Sequence, residues 1–344
     1  MQYQWYPGHM TKAKRQMQDD LKLIDVVIEL VDARIPYSSK NPDIQSMAAH
    51  KSRVLLLNKA DLADREKTEA WKAFYEAQGY FVVPVNSKTG SGVKSVGGVI
   101  TKACQEKIER DRRRGILNRP IRAMIVGIPN VGKSTFINAL AGKAITKTGN
   151  KPGVTKGKQW IRLNKSVELL DTPGILWPKF EDQSVGLRIA LIGSINDEIL
   201  VTTELSYELC RFLTAEYPGA LAAKYGVEEC ADGNELLTRI AEKRACRRSG
   251  GELDIEKVAG FVLDDFRNGR IGTISLEVPP PGEAAASREE KDNRARKQEA
   301  ETQKCEAGEQ RSGAAAQEQD VTAGNQDTSE QKTDDTAQER DTES

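Results

Sequence analysis

Apolar segments alternate with segments of helical spacing through the first half of the chain. Four apolar runs and two further candidate segments predict strands, since short runs of apolar and β-branched residues between polar residues are typical of sheets. The expected strands are 24–31, 54–57, 81–85, 123–126, 158–163 and 167–170. Apolar residues that recur every three or four positions predict helices at 11–21, 65–78 and 93–113, and another that opens at Phe136.

Strands that alternate with helices indicate an α/β fold, with a mostly parallel sheet and flanking helices. In such sheets, ligands bind beyond the carboxyl ends of the strands. Polar motifs follow the predicted strands at Asp32, Asn58, Asn86 and Asp171. We therefore expect residues that are far apart in sequence to share one site.

The pattern changes after about residue 178. Five segments have helical apolar spacing there, and glycine-containing breaks separate the later ones: 183–192, 198–216, 220–225, 234–247 and 254–268. Residues 271–278 are expected to form a short extended end. Beyond position 279 the chain has one Val and no Leu, Ile, Met or aromatic residue, which is too little apolar surface for folding. We predict an α/β domain at 1–177 that includes the segment 1–22, a small all-α domain at 178–278, and a disordered acidic tail at 279–344.

Charge is distributed unevenly, although 51 basic and 51 acidic residues cancel over the whole chain. Positions 282–344 carry 17 acidic and 9 basic residues, whereas the rest carries 34 acidic and 42 basic residues. A basic body with an acidic tail is compatible with a nucleic-acid partner. The five cysteines form no Cys-x-x-Cys pair, which argues for a reducing cytoplasm and against a zinc site. The sequence has neither a long apolar run nor a signal-peptide pattern, so we expect no membrane partner.

The strongest motif is Gly-Ile-Pro-Asn-Val-Gly-Lys-Ser-Thr at 127–135, between a predicted strand and a predicted helix. This context is the one that a phosphate-binding P-loop requires, because glycines let the backbone N–H groups approach phosphate oxygens. Lys133 is expected against the β- and γ-phosphates as a catalytic group, and Ser134 is expected to ligate Mg²⁺. The residues expected to bind the nucleotide here are Asn130, Val131, Gly132, Lys133, Ser134 and Thr135.

Two strand-end motifs predict recognition of guanine. Asn58-Lys59-Ala60-Asp61 fits the pattern Asn-Lys-x-Asp, in which Asp61 accepts hydrogen bonds from two guanine donors that adenine lacks. Asn58 can hydrogen-bond the base edge and the P-loop backbone, while the stem of Lys59 covers the ring. A second loop, formed by Asn86, Ser87 and Lys88, fits a contact to guanine O6 but is also an ordinary turn sequence.

Two further segments predict contacts to Mg²⁺ and the γ-phosphate. In Asp171-Thr172-Pro173-Gly174, Asp171 would hold the metal through water and the Gly174 N–H would sense the γ-phosphate. Thr155 is the preferred candidate for the threonine that closes over the metal and the phosphate, with a catalytic role. Thr148 is the competing candidate.

These motifs occur in a rearranged order and resemble the circularly permuted GTPase family, in particular its bacterial factors for assembly of the large ribosomal subunit. The resemblance covers about residues 1–278. It rests on the permuted order and on three local matches: Trp5-Tyr6-Pro7-Gly8-His9-Met10, Asp32-Ala33-Arg34-Ile35-Pro36, and 249–269. Cutting the loop after the Asp-x-x-G motif and joining the old ends gives this order without changing the sheet. The nucleotide-sensing loop then leads directly into the helical domain.

The resemblance implies GTP and GDP as ligands, GTP hydrolysis stimulated by the large subunit, and a helical domain that contacts ribosomal RNA. It also raises two single-residue hypotheses. Ile175 stands where Ras-like enzymes place a water-orienting Gln, so His9 becomes a catalytic candidate, the alternative being a structural turn. Asn130 resembles the asparagine that binds K⁺ in cation-stimulated GTPases, the alternative being a residue that stabilises the loop.

Basic residues cluster at 110–122, at 143–165 and in the set Arg239, Lys243, Arg244, Arg247 and Arg248. Such clusters suit ribosomal RNA, although solvated helix faces look similar. The sequence therefore favours a monomeric GTPase of large-subunit assembly. A nucleotide-gated RNA-binding module and a small-subunit assembly GTPase are the alternatives.

Overall fold

The structure is a computed structural model that describes residues 8–116, 119–146, 159–164 and 166–280. All of these residues fall within one compact unit. The candidates Thr148 and Thr155, and the predicted tail from position 281, lie outside the described residues, as does the side chain of His9. The proposed boundary between residues 177 and 178 stays a prediction.

Six strands form a single sheet in the described ranges. They are β1 (Val26–Asp32), β2 (Ser52–Asn58), β3 (Phe81–Val85), β4 (Ile121–Val126), β5 (Gln159–Arg162) and β6 (Val167–Asp171). The strand order is β3-β2-β1-β4-β6-β5, and only β5 runs antiparallel to its neighbour in this part of the chain. The predicted mostly parallel α/β fold is confirmed.

The middle of the sheet is buried because helices cover both of its faces, which explains why the central strands are apolar almost throughout. Every residue of β1 is buried. β1 lies between β2 and β4, and Asp32 at its carboxyl end is in register with Asn58. On the other side of β4, Ile125 is in register with Asp171. The polar motifs therefore meet at one edge of the sheet, as expected.

Eleven α-helices occur in the described ranges. They are α1 (Gly8–Leu21), α2 (Pro42–Met47), α3 (Arg65–Ala77), α4 (Val96–Ala103), α5 (Gln105–Arg113), α6 (Lys133–Ala141), α7 (Gln183–Leu191), α8 (Thr202–Glu216), α9 (Ala220–Tyr225), α10 (Gly233–Lys243) and α11 (Ile255–Arg267). None of these helices combines the length and the apolar character needed to cross a bilayer. Helices α7 to α11 occur in the five segments predicted for the second half, although α8 begins at Thr202 rather than at 198 and α10 ends at Lys243 rather than at 247.

Two predictions about helices need correction. The helix expected at 93–113 is divided into a 3₁₀ turn at Val93–Ser95 and the helices α4 and α5, which meet at Cys104. α4 has an apolar buried face, whereas α5 is almost wholly charged and buries no residue. Helix α2 was not predicted, since its six residues include a single buried side chain, Ile44. Its start is nevertheless well defined, with Asn41 accepting a hydrogen bond from the Asp43 N–H and Pro42 in the first turn.

The end of the described chain returns to the α/β part. Residues 271–278 belong to no helix or strand of the sheet, and the expectation of an extended end stays a prediction. Two of their N–H groups bond to residues in the first part of the chain. Ile274 donates to the carbonyl of Leu62 at 3.0 Å, and Leu276 donates to the carbonyl of Arg34 at 2.8 Å. The Glu277 carboxylate accepts the backbone N–H of Tyr37 at 2.9 Å. This return segment ties the helical part to the edge of the sheet where the motifs meet.

Candidate nucleotide-binding site

Residues 127–132 connect β4 to α6, and the motif 127–135 includes the first turn of that helix. The connecting loop packs closely against its neighbours. A Cβ on Gly127 would lie 2.5 Å from the carbonyl oxygen of Leu30, and a Cβ on Gly132 would lie 2.5 Å from Asn58 Nδ2. Gly132 also has a φ of 97°, which side chains rarely adopt. Only glycine fits these two positions. Helix α6 begins directly after them, so its first N–H groups face the loop as a phosphate site requires.

Lys133 and Asp171 form a buried pair of opposite charges beneath this loop. Lys133 Nζ donates to the carbonyls of Gly127 and Ile128, both at 3.0 Å. Burial lowers the pKa of Lys133 to about 8, against the opposing effect of Asp171. Burial likewise raises the pKa of Asp171 to about 6, although Lys133 and the Thr172 N–H favour the charged form. Burial disfavours the charged form of each group, so a bound ion of opposite charge would stabilise it: an anion next to Lys133 and a cation next to Asp171.

Asp171 has unused capacity as a ligand. Its Oδ1 atom is buried and accepts no hydrogen bond within the described part of the chain. The neighbouring Thr172 hydroxyl donates to the Ile125 carbonyl at 2.7 Å, which fixes this loop on the sheet. Mg²⁺ prefers carboxylate, hydroxyl and phosphate oxygens, so an unsatisfied carboxylate at this strand end fits the metal.

Gly174 lies directly against the P-loop. A Cβ there would be 2.8 Å from Lys133 Nζ and 2.9 Å from the backbone N and Cα of Pro129. The next residue, Ile175, is 1% exposed, so its side chain packs in the core, and its carbonyl accepts Asn41 Nδ2 at 3.1 Å. The Ile175 side chain has no polar group, so the assignment of another residue to orient water stays a prediction.

Asn58 connects three loops of the site. Its Nδ2 donates to the Val131 carbonyl of the P-loop at 2.6 Å, the backbone contact that the sequence predicted. Its Oδ1 accepts the N–H of Ser87 at 3.1 Å and the hydroxyl of Ser87 at 2.7 Å. The carboxylate-bearing Asp61 and the neighbouring Lys88 are exposed at the same edge. The two predicted guanine loops are therefore brought together beside the P-loop.

Asn86 takes a local role. Its Oδ1 accepts the N–H groups of Lys88 and Thr89 at 2.9 and 3.0 Å, which shapes the second loop as a turn.

Ser134 and Thr135, in the first turn of α6, are half-buried. The carbonyl of Ser134 accepts the hydroxyl of Thr146 at 3.1 Å.

Asn130 contacts the helical part of the chain. It has a φ of 59°, and its Nδ2 donates to the carbonyl of Gly193 at 2.6 Å. The adjacent Pro129 carbonyl accepts the hydroxyl of Ser194 at 2.6 Å. Gly193 and Ser194 follow α7, and sequence reasoning missed them because a Gly-Ser pair after a helix is an ordinary ending. The role of Asn130 as a K⁺ ligand stays a prediction.

Asp32 and Lys59 form an ion pair beside the loop that is predicted to recognise guanine. Lys59 Nζ lies 3.0 Å from Asp32 Oδ2, and Arg34 Nη2 lies 2.8 Å from the same oxygen. Burial would raise the pKa of Asp32, but the two cations outweigh it and hold the pKa well below its usual range. The sequence analysis placed Asp32 at the end of a predicted strand and quoted Arg34 only as part of a resemblance, and it assigned neither residue a function.

The fold and these contacts define a P-loop GTPase whose motifs occur in circularly permuted order. A family model described as "50S ribosome-binding GTPase" matches residues 122–217. Ribosome biogenesis GTPase A of Bacillus cereus is 48% identical over 280 residues, covering 81% of this chain and 95% of that protein. The protein of the same name from Thermotoga maritima is 34% identical over 278 residues, covering 80% and 94%.

A solved structure agrees with these matches. The crystal structure of GNP-bound YlqF from Thermotoga maritima is 30% identical, with a TM-score of 0.55, and the match covers 78% of this chain and 98% of that one. The chain belongs to the ribosome biogenesis GTPase A family. It is a GTP-hydrolysing enzyme of ribosome biogenesis, with GTP and GDP as its nucleotides.

Proposed function

We propose that this GTPase acts in late assembly of the large (50S) ribosomal subunit in the cytoplasm, and that the subunit stimulates its hydrolysis of GTP to GDP and phosphate. The observation that supports this proposal is the pair of hydrogen bonds between the P-loop and the loop after α7, at Asn130–Gly193 and Ser194–Pro129. A particle that contacts the helical part can therefore act on the nucleotide site through direct contacts. The family model and the names of the relatives agree with a ribosomal partner.

In this proposal each motif residue has one task. Lys133 neutralises the β- and γ-phosphates, and the P-loop N–H groups cradle them. Ser134 and Asp171 hold Mg²⁺, which neutralises charge that develops on the phosphates. The N–H of Gly174 senses the γ-phosphate, and Thr155 closes over the metal.

Recognition of the base is assigned to the loops on β2 and β3. Asp61 accepts hydrogen bonds from the guanine ring and its exocyclic amine, while the Lys59 stem covers the ring. Asn58 holds both loops and the P-loop together, and Ser87 and its neighbours Asn86 and Lys88 face guanine O6.

Two assignments concern the chemical step. His9 orients the attacking water or accepts its proton, since Ile175 has no polar group for that task. Asn130 binds K⁺, which supplies positive charge next to the transferred phosphoryl group. An amide coordinates a cation through its oxygen, so Oδ1 is the atom of Asn130 that this assignment uses.

Ribosomal RNA is proposed as the partner of the basic residues on and after α10. Arg239 already pairs with Glu235 at 2.6 Å, and Arg248 pairs with Glu256 at 3.3 Å. These acidic neighbours compete with RNA phosphates for the arginines. Because contacts of this kind are made to phosphates, we expect RNA binding to depend on salt and on the shape of the particle more than on the RNA sequence.

The test measures GTP hydrolysis with purified large subunits, with small subunits, and without particles, each in K⁺ and in Na⁺. We expect stimulation by large subunits alone, in K⁺, and loss of that stimulation in His9→Ala. Stimulation that survives in His9→Ala would mean that His9 is a structural residue of a turn and not a catalytic residue. Stimulation by small subunits instead, or by neither particle, overturns the proposed role and favours the small-subunit enzyme or the RNA-binding module.

A further inference from the structure

A buried pair, Asp32 and Arg34, lies behind the guanine-recognition loop. The carboxylate of Asp32 accepts three hydrogen bonds from Arg34, from its backbone N–H at 3.1 Å, Nε at 2.9 Å and Nη2 at 2.8 Å. The side chains are 0% and 1% exposed. A two-pronged arginine–carboxylate contact of this kind fixes both side chains in one geometry.

The carboxylate of Asp32 also forms an ion pair with Lys59. Lys59 Nζ lies 3.0 Å from Asp32 Oδ2, and Lys59 has a φ of 58°. Within the described ranges only two other non-glycine residues, Asn130 and Ala245, have a positive φ. Such a backbone is unfavourable for a residue with a side chain and persists only where the surroundings hold it. The ion pair with Asp32 is a contact that holds it here.

The far side of Arg34 is anchored to the end of α11. Arg34 Nη1 donates to the carbonyls of Phe266 and Arg267 at 3.4 and 3.3 Å, and its guanidinium lies 5.1 Å from the centroid of the Phe266 ring. The last carbonyls of a helix carry partial negative charge, so they stabilise a cation. The pair is thus fixed to a rigid helix on one side and to the guanine loop on the other.

We infer that Asp32 and Arg34 are positioning residues for guanine recognition: Asp32 holds Lys59 in its unusual conformation, and Arg34 fixes Asp32 to the end of α11. Neither residue touches the base. The inference rests on the proposed role of 58–61 in reading guanine. It adds that the accuracy of this reading depends on α11, a helix that is more than 190 residues away in sequence.

The role predicts a specific kinetic pattern. Because the base loop is affected and the phosphate site is not, the affinities for GTP and GDP should fall by the same factor. Hydrolysis at saturating GTP should keep its rate. Inosine nucleotides lack the exocyclic amine that Asp61 is assigned to bind, so the preference for GDP over IDP should fall in parallel.

The experiment compares Asp32→Asn and Arg34→Lys with Asp25→Asn as a matched control. Asp25 is also a buried carboxylate, 5% exposed, and it pairs with Lys107 at 3.3 Å and Arg119 at 3.7 Å near the opposite end of β1. We expect the GDP/IDP preference to fall by about tenfold in Asp32→Asn, by less in Arg34→Lys, and not at all in the control. Thermal unfolding of each variant reports the loss of stability that breaking a buried ion pair causes at either end of the strand.

A folded Asp32→Asn or Arg34→Lys variant with an unchanged GDP/IDP preference overturns the inference, whatever its melting temperature. If Asp32→Asn does not fold, Arg34→Lys, which keeps the charge but loses the two-pronged contact, decides alone. A wild-type protein that binds GDP and IDP equally well overturns the guanine-reading role itself. That outcome is distinct from failure of the positioning role.

Discussion

Asn58→Ala tests whether one side chain connects the three nucleotide loops. The substitution removes the amide that donates to Val131 and accepts from the N–H and the hydroxyl of Ser87. Asn58 is 1% exposed, Ser87 is 5% exposed and Val131 is fully buried. Water therefore has little access to the groups that lose their partner.

The expected cost follows from these contacts. Each neutral hydrogen bond contributes about 1 kcal/mol, and a buried group left without a partner costs about 1–3 kcal/mol. Three lost bonds correspond to a decrease in the free energy of unfolding of about 3 kcal/mol. For a protein of this size, 1 kcal/mol lowers the Tm by about 2–4 °C, so the expected decrease in Tm is roughly 6–12 °C.

Differential scanning calorimetry of the nucleotide-free protein measures this change. Asn86→Ala is the control, because the Asn86 side chain accepts from two backbone N–H groups of an exposed turn, and its loss should cost less than about 1 kcal/mol. GDP should also stabilise the Asn58→Ala variant less than the wild type, since the loops that bind it are no longer joined. A Tm within about 2 °C of the wild type would refute the reasoning.

Three further predictions concern other parts of the site. Gly174→Ala should weaken GTP binding by about tenfold or more while affecting GDP less, because the added Cβ would collide with Lys133 and the P-loop backbone. Gly260→Ala is the control, since a Cβ there has no neighbouring atom within 4 Å and should leave both affinities unchanged. Equal losses of GTP and GDP affinity in Gly174→Ala would contradict this reasoning. Mg²⁺-dependent GDP binding should weaken below about pH 6, because burial raises the pKa of Asp171 to about 6 and the metal needs the charged carboxylate; binding titrations at pH 5 and pH 7.5 measure this. In the nucleotide-free protein the same raised pKa has the opposite effect on stability. The free energy of unfolding should fall as the pH rises from about 4 to about 6, since the folded state holds the proton more tightly than the unfolded state. Glu277→Ala should lower the free energy of unfolding by about 2–4 kcal/mol, because it leaves the buried N–H of Ser38 and the partly buried N–H of Tyr37 without their acceptor. A loss below about 1 kcal/mol in chemical denaturation would contradict it.

The sheet and the loops of the site could be predicted because their signals are local. A run such as 123–126 is apolar throughout, and the rule that ligands bind at strand ends brings Asn58, the P-loop and Asp171 together before any coordinates are known. The hydrogen bond between Asn58 and the P-loop follows from the same reasoning.

The remaining features depend on contacts between distant residues, which no local pattern reports. Gly193 and Ser194 bond to the P-loop from 63 and 65 positions away. Arg34 reaches the end of α11 across 232 positions. Helix α2 was missed for the opposite reason, since a six-residue helix with one buried side chain has too little periodicity to detect.

The return segment sets an order of events during synthesis. Ser275 Oγ accepts the N–H of Asp64 across 211 positions, and Glu277 accepts the N–H of Tyr37 across 240. A nascent chain emerges from its amino terminus, so β1, β2 and the guanine loop leave the ribosome long before their last partners exist. We therefore expect nucleotide binding to become tight only after residue 277 has left the exit tunnel. Newly made molecules of this assembly factor would then bind nucleotide tightly only when nearly all of their folded part is outside the ribosome.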